Sequence, residues 1–164
     1  MKLIPHPDWR AEALDSIEVD GDIRRGVTAL TYRMRGEMPA MLEPAAPERT
    51  DGLWRDTCFE LFVKPAGGEG YFEFNFAPSG QWAAYRFDGY RAGMADLAVA
   101  TPVIERLDNG VRVTVDLGGL PEGDWRVGVS AVIVEADGTR SFWALAHPPG
   151  KPDFHDRAGF VLTA

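Results

Sequence analysis

The sequence predicts an all-β fold, an antiparallel β-sandwich of two sheets in a single domain covering residues 1–164. Apolar residues alternate with a period of two along most of the chain, and turn-forming residues are dense, with 18 glycines and 12 prolines. No segment of a dozen residues keeps a helical apolar stripe. Many short strands joined by close turns are typical of antiparallel sandwiches and barrels, and 164 residues suffice for one sizeable core.

Most of the predicted strands are separated by turn sequences, of which LDNG and ADGT predict hairpins most clearly. Two longer irregular connections cover residues 36–52 and 147–159, and loops of this length either carry function or cross an end of the sandwich. The predicted strands are 15–19, 27–35, 58–64, 71–76, 81–87, 97–107, 110–117, 125–134, 140–146 and 159–162.

The net charge of −8 argues against two classes of partner, because nucleic acids and anionic membrane surfaces both repel an acidic protein. The first residues, MKLIPHPDWRAEALDS, contain no apolar export segment, and no stretch reaches a membrane-spanning length. We therefore expect a soluble, cytoplasmic protein. The one cysteine, Cys58, precludes an internal disulfide and a cysteine-rich zinc site, and its apolar neighbours favour a buried side chain.

The central hairpins are predicted to have one apolar face and one face that mixes aromatic and charged residues. The apolar row consists of Phe59, Leu61, Val63, Phe72, Phe74, Phe76, Ala83, Tyr85 and Phe87. If APSG is a four-residue loop, Asn75 pairs near Trp82, and if PAGGEG is the preceding loop, Glu60 pairs near Asn75. The mixed face then has three rungs, which are Glu60, Asn75 and Trp82; Phe62, Glu73 and Ala84; and Lys64, Tyr71 and Arg86.

Alternating aromatic rings and hydrogen-bonding groups on the mixed face are typical of a sugar-binding surface. The apolar C–H face of a pyranose stacks on an aromatic ring, while its hydroxyls bond carboxylate, amide and guanidinium groups. A second interpretation stays open. In it the rings are covered by another segment, such as residues 36–52, and the charged groups form a structural ion network.

Three stretches carry a family likeness, namely LWRDTCFELFVKP, YFEFNFAPSGQWAAYRFDGYR and FWALAHPPGKPDFHDRAGFVL. Together they resemble the DOMON-like superfamily of β-sandwiches, which contains family 9 carbohydrate-binding modules and related bacterial single-domain proteins. The likeness is close over residues 50–91 and 140–162, and elsewhere it is a strand pattern only. It implies a jelly-roll or immunoglobulin-like sandwich of two antiparallel sheets with a ligand face.

Members of this superfamily bind sugars or haem. Family 9 modules clamp a terminal sugar between two tryptophans, and the resemblance carries that role to Trp54 with Trp82 or Trp143, beside Glu60 and Asn75. The sequence departs from the pattern, because such modules are usually exported and appended to glycosidases, whereas no signal peptide is recognised here.

Haem-binding members use Met, His or similar axial ligands, for which this chain offers Met34, Met38, Met41, Met94, His147 and His155. No C-x-x-C-H motif is present, and core or loop packing explains the methionines of 34–41. Related modules bind structural calcium, but without EF-hand spacing the aspartates at 51, 56, 153 and 156 fit turn and strand-end caps. We expect no bound cofactor and no metal site, with haem b or structural calcium as the alternatives.

An enzymatic function is the remaining alternative for the mixed face. Glu60 and Glu73 would lie diagonally on neighbouring strands, about 7–8 Å apart, a separation found for paired carboxylates in inverting glycosidases. No G-x-S-x-G, H-E-x-x-H or phosphate-cradling loop is present, and Cys58 lacks a histidine partner. We therefore expect no catalytic residues.

The PDFHDRAGF segment groups His155, Asp156 and Arg157 before the last strand. These residues would pin the chain terminus, with Asp153 and Arg157 anchoring the loop, or line a pocket if the loop folds over the mixed face.

Taken together, the sequence predicts a non-catalytic binding module for a small carbohydrate-like ligand. The alternatives are a protein-interaction domain whose aromatic face meets a protein partner or a second copy, a haem electron-transfer domain and a carboxylate-pair glycoside hydrolase. The predicted ligand-binding residues are Trp54, Glu60, Glu73, Asn75, Trp82, Arg86, Tyr71, Trp143 and His155.

Overall fold

The computed structural model describes residues 1–9, 12–39 and 42–164. Among these residues the regular structure is strand, apart from two short 3₁₀ turns at Leu53–Arg55 and Arg157–Gly159. Within the same ranges, no helix has the length and apolar character that crossing a membrane requires. The strands are β1 Lys2–Pro5, β2 Leu14–Asp20, β3 Val27–Gly36, β4 Cys58–Pro65, β5 Tyr71–Phe76, β6 Trp82–Phe87, β7 Ala95–Asp96, β8 Val103–Leu107, β9 Gly110–Asp116, β10 Trp125–Val134, β11 Arg140–Ala144 and β12 Leu162–Thr163.

All of these strands pair antiparallel in one continuous sheet. The order is β7-β6-β5-β4-β10-β11-β1-β2-β3-β9-β8, with β12 paired to β10. Strand β1 joins the two halves, since Lys2 and Leu3 pair with β2 while Ile4 and Pro5 pair with β11. The all-β antiparallel prediction is confirmed, although β1 itself was not predicted. The division into two sheets stays a prediction.

Two predicted strands differ from the structure. The segment 97–107 forms a strand only from Val103, directly after Pro102, whose ring removes the backbone N–H that a ladder needs. The segment 159–162 begins in the second 3₁₀ turn, where the Asp156 carboxylate accepts a hydrogen bond from the Ala158 N–H and caps the turn, so β12 starts at Leu162.

The larger apolar core lies between the two halves of the curled sheet. Side chains from β2, β3 and β9 meet side chains from β4, β5, β10 and β11 in one buried cluster. At its centre the Tyr32 and Phe59 rings are 4.9 Å apart, and the Tyr32 hydroxyl donates to the Glu60 carbonyl at 3.1 Å. This packing fixes the inner face of β4 and leaves its other face for different contacts.

Strands β4 and β5 alternate between that core and the outer face of the sheet. Phe59, Leu61, Val63, Phe74 and Phe76 are completely buried in the larger core. The register follows the sequence prediction, since Glu60 lies opposite Asn75 and Phe62 opposite Glu73. The outer face of this pair therefore carries Glu60, Phe62, Tyr71, Glu73 and Asn75.

The predicted register between β5 and β6 is wrong by one residue. Phe76, rather than Asn75, pairs with Trp82, because the loop has three residues, 78–80, closed by a hydrogen bond from the Ala77 N–H to the Gln81 carbonyl at 2.9 Å. Gly80 occupies the left-handed position that such loops require, with φ of +99°. A slip of one residue moves every side chain of β6 to the opposite face.

Because of this slip, two predicted site residues do not lie on the outer face. Trp82 points into the larger core and is 7% exposed. Arg86 lies on the same inner side, with its guanidinium 3.1 Å from Asp88. Their places on the outer face are taken by Ala83, Tyr85 and Phe87, which pack in a second apolar cluster.

Candidate functional site

A cavity of about 480 Å³ lies over the outer face of β4, β5, β10 and β11. Glu60, Glu73 and Val132 lie on these strands and form its floor. The walls come from the first 3₁₀ turn, the turn after β6, the end of β6, β11 and the segment 147–160. They are Trp54, Phe87, Arg91, Met94, Arg140, Phe142, Pro152, Phe154 and His155.

Segment 147–160 crosses the outer face and is held there by aromatic packing. The Phe160 ring stacks on Phe62 at 5.7 Å, and the Arg126 guanidinium donates to the Phe160 carbonyl at 3.2 Å. Gly128 of β10 leaves the room for this contact, because a Cβ there would lie 2.7 Å from the Phe160 ring. The covering segment therefore depends on a residue without a side chain.

The same segment is tied to the turn after β6 through Asp153. Its carboxylate accepts from the Arg91 guanidinium at 2.8 Å, from the Tyr90 hydroxyl and from the backbone N–H of His155 at 3.0 Å. The predicted anchor between Asp153 and Arg157 is wrong, since the Arg157 guanidinium is 3.7 Å from Glu69. Two opposite walls of the cavity are thus joined by an ion pair.

The floor holds two buried carboxyl groups. Glu60 and Glu73 are 3% and 4% exposed. Glu60 Oε2 accepts from the Ser130 hydroxyl at 3.1 Å, and Glu73 Oε1 accepts from Asn75 Nδ2 at 2.8 Å. Asn75 Oδ1 is buried and has no hydrogen-bond partner among the described residues. Beneath the floor there is thus a buried acceptor whose desolvation is not offset by any described residue.

His155 connects the floor to Tyr71. Its Nδ1 lies 2.7 Å from the Tyr71 hydroxyl, and its Nε2 lies 3.8 Å from Glu73 Oε2. The Tyr71 oxygen also accepts from the Arg91 N–H at 3.2 Å. His155 is thus the link between Tyr71 and the floor, and the tautomer of its neutral imidazole decides which ring nitrogen donates.

Burial governs the protonation of these groups. It raises the pKa of Glu60 well above its usual value, with the neighbouring Glu73 charge acting in the same direction and the Ser130 hydrogen bond opposing it. Burial raises the pKa of Glu73 to about 7, opposed by the Asn75 hydrogen bond and the Arg91 charge. Burial, assisted by Arg91, lowers the pKa of His155 to about 4. At neutral pH the imidazole is uncharged and the carboxyl pair retains a proton.

The structure brings six of the nine predicted site residues together. Trp54, Glu60, Glu73 and His155 line the cavity, while Tyr71 and Asn75 bond directly to lining groups. The other three, Trp82, Arg86 and Trp143, do not line it.

Trp143, like Trp82, faces the larger core, so its predicted place in the site is wrong. It pairs with Ala131 on the inner side of β11, is 2% exposed and donates its indole N–H to the Ser141 hydroxyl at 2.9 Å. The expected clamp of Trp54 with Trp82 or Trp143 is therefore wrong.

Sequence reasoning missed several wall residues. The outward position of Phe142 can be deduced from the alternation of β11 once its pairing with β10 is known, because Phe142 neighbours Trp143 and must face the other way. Arg140, two residues before Phe142 on β11, shares its face by the same alternation. Arg91 and Phe154 have no comparable local signal and reach the cavity through the positions of loops.

The donors present do not match a haem site. Met94 and His155 line the cavity, but both ring nitrogens of His155 already face Tyr71 and Glu73. His147 Nε2 lies 2.9 Å from the Ile4 carbonyl, and Met34 is buried in the larger core. Met38 packs against that core, and Met41 lies outside the described residues.

Three of the four aspartates considered for calcium have other partners. Asp51 accepts from the Tyr85 hydroxyl at 2.7 Å, and Asp153 and Asp156 accept the hydrogen bonds described above. In the parts of the chain that the structure describes, no three His, Cys, Asp or Glu residues are grouped to hold a metal ion.

Comparison with solved structures shows a similarity of fold. No protein-family model matches the chain, and no curated protein sequence matches it. Among solved structures, the fold is similar to that of a "putative carbohydrate-binding protein" from Bacteroides uniformis, with a TM-score of 0.70. The sequences are 13% identical, and the alignment covers 97% of this chain and 84% of the other. At this level of identity the similarity shows a common fold.

Proposed function

We propose that this chain is a non-catalytic binding module for a small carbohydrate-like ligand held in the cavity over β4 and β5. The observation that carries the proposal is the combination of aromatic walls and a buried polar floor in one cavity of about 480 Å³. Pockets for small ligands are typically about 300–1,000 Å³ and pair apolar walls with a few polar groups. The name given to the Bacteroides uniformis protein supports the same class of ligand.

The aromatic walls supply the stacking surface in this proposal. Trp54 is 41% exposed on the short 3₁₀ turn, so its indole is accessible to a ligand. The rings of Phe142 and Phe154 lie 6.1 Å apart at an interplanar angle of 60°. A pyranose presents apolar C–H faces that pack on such rings.

The floor supplies hydrogen bonds of both kinds. Because the Glu60 and Glu73 pair retains a proton at neutral pH, it can donate as well as accept, as sugar hydroxyls do. Asn75 lies beneath this floor, where its amide donates to Glu73 Oε1 and holds that carboxyl group in place for the ligand.

We propose a DOMON-like sandwich as the finer description of the fold. In this description β1 is the crossover between a sheet made of β7, β6, β5, β4, β10 and β11 and a sheet made of β2, β3, β9 and β8. The core shared by both halves supports it.

The test is a titration of the protein with a panel of monosaccharides and disaccharides, monitored by tryptophan fluorescence and by the melting temperature. The visible spectrum of the protein is recorded before the titration. We expect a saturable fluorescence change and a raised melting temperature, since a ligand that binds only the folded state stabilises it. Trp54→Ala should abolish the response, whereas Arg86→Gln, on the opposite face, should retain it. A silent panel, or loss of binding in Arg86→Gln with retention in Trp54→Ala, would contradict the proposal.

Glycoside hydrolysis is a second candidate, favoured by two buried carboxyl groups on one floor with raised pKa values. Release of reducing ends from oligosaccharides, absent in Glu73→Gln, would favour it over binding alone. Stable binding without product release is the result we expect.

A further inference from the structure

The cavity places two guanidinium groups against its ligand space in a protein whose net charge is −8. Arg91 is neutralised by Asp153 at 2.8 Å. Arg140 donates to the Arg55 carbonyl, and no carboxylate of residues 1–9, 12–39 or 42–164 lies within 4 Å of its guanidinium. Arg140 is thus a cavity cation without an anionic partner among the described residues.

The floor does little to offset this charge. Glu60 and Glu73 are held by hydrogen bonds from Ser130 and Asn75, and burial opposes their ionisation. The imidazole of His155 is directed toward Glu73. A neutral sugar would leave the Arg140 charge unmatched when it displaced water from the cavity.

We infer that the preferred ligand is an acidic sugar, a pyranose that carries one carboxylate, and that Arg140 is the residue that selects it. This inference rests on the proposed function, because the ring must still pack on the aromatic walls. A planar guanidinium matches a carboxylate with two parallel hydrogen bonds, and charge-assisted bonds of this kind are roughly twice as strong as neutral ones.

The number of charges favours a carboxylate over a phosphate. A phosphorylated sugar carries about −1.5 to −2 at neutral pH, against one guanidinium that lacks an anionic partner. The excess negative charge would have no unpaired cation among the described lining residues and would lose water in the cavity without a partner. A single carboxylate balances Arg140 and leaves the Arg91–Asp153 pair, which joins two walls, intact.

The test is isothermal titration calorimetry of the intact protein with D-glucuronate and D-galacturonate, against D-glucose, D-galactose and sodium acetate. We expect the better uronate to bind at least about tenfold more tightly than its neutral counterpart, the difference that one charge-assisted hydrogen bond supplies. Arg140→Gln should remove that preference, measured as the ratio of uronate affinity to neutral-sugar affinity in the same variant, and Arg140→Lys should restore part of it. Arg86→Gln is the matched control and should keep the preference, and melting temperatures verify folding of each variant.

The outcomes separate the two proposals. Equal or tighter binding of the neutral sugars, or a uronate preference that survives in Arg140→Gln, would overturn the acidic-sugar inference and leave the carbohydrate module standing. Acetate binding as tightly as the uronates would also overturn it, because the ring would then contribute nothing. Absence of binding by every sugar would overturn the proposed function and the inference with it.

Discussion

The two faces of the β4–β5 pair are formed by alternate residues of the same two strands, of 8 and 6 residues, and they differ sharply in polarity. On the inner face five apolar side chains are completely buried in the larger core. On the outer face Glu60, Glu73 and Asn75 are also buried, but beneath a cavity and with one acceptor unpaired. Burial therefore has opposite effects on the two faces, since apolar burial stabilises the fold, whereas polar burial costs stability unless a partner offsets it.

On the outer face, therefore, the burial of polar groups lowers the stability of the fold. Strained or under-satisfied polar groups persist where a site needs them, and here they coincide with a cavity. Four experiments with substituted proteins test this difference.

The largest expected effect is on the inner face, where we compare Trp82→Ala with Trp54→Ala. Trp82→Ala empties a core position and should lower the free energy of unfolding by about 3–5 kcal/mol. Trp54→Ala truncates a 41% exposed ring and should lower it by less than about 1 kcal/mol. Urea denaturation measures both, and equal losses, or a larger loss for Trp54, would contradict the observed β5–β6 register.

Removing a carboxyl group from the outer face should raise the free energy of unfolding instead of lowering it. The pKa of Glu73 is about 7 in the folded protein and about 4.5 ordinarily, so the folded state binds more protons than the unfolded state between these pH values. Its contribution to stability is complete below about pH 4.5 and is lost as the pH rises through about 7. Glu73→Gln should therefore be more stable than the natural chain above pH 7, by up to about 3 kcal/mol, and nearly equal to it at pH 4.

Denaturation curves at pH 4, 6 and 8 test this sign. Glu18→Gln, an exposed glutamate of β2, is the control and should change stability by no more than about 0.5 kcal/mol at any pH. His155, whose pKa is lowered to about 4, lies 3.8 Å from Glu73, so its titration is followed by NMR in both proteins and subtracted. A destabilised Glu73→Gln at pH 8 would show that its charge is structural.

The covering segment is tested by Gly128→Ala. The added Cβ would lie 2.7 Å from the Phe160 ring, so either the ring or β10 must move, at a cost of about 1–3 kcal/mol. Near-ultraviolet circular dichroism and denaturation measure the change. Gly119→Ala adds a Cβ that meets no atom within 4 Å and is the control; equal effects of the two substitutions would disprove the packing role.

The smallest effect is expected from Tyr71→Phe, which removes the hydroxyl between His155 and the Arg91 N–H. The free energy of unfolding should fall by about 1 kcal/mol, with a perturbed His155 titration observable by NMR because Nδ1 loses its hydrogen-bond partner. An unchanged His155 spectrum would contradict the Tyr71–His155 hydrogen bond.

The sequence predicted the strands well because alternation and turn residues are local properties. It also predicted that Glu60 lies opposite Asn75, since the faces of both strands are clear from their own residues. The β6 faces were inverted because APSG fits a four-residue loop as well as a three-residue loop with a closing pair. A difference of one residue in loop length therefore places Trp82 and Arg86 on the inner face.

The cavity walls were beyond sequence reasoning for a different reason. Arg91 and Asp153 are 62 residues apart and meet only because segment 147–160 crosses the outer face. Nothing in either local pattern encodes that meeting. The position of Trp143 likewise depends on the pairing of β11 with β10, which its own alternation does not specify.

The most direct test of the cavity as the ligand site is the set of tryptophan indole N–H signals in a two-dimensional NMR spectrum during titration with D-glucuronate and D-glucose. Trp54 lines the cavity, whereas Trp82, Trp125 and Trp143 are buried in the larger core. We expect the Trp54 signal to move and saturate with ligand while the three core signals stay in place. Saturable movement of Trp82 or Trp143 with a stationary Trp54, or no movement of any signal, would contradict the assignment of the ligand to this cavity.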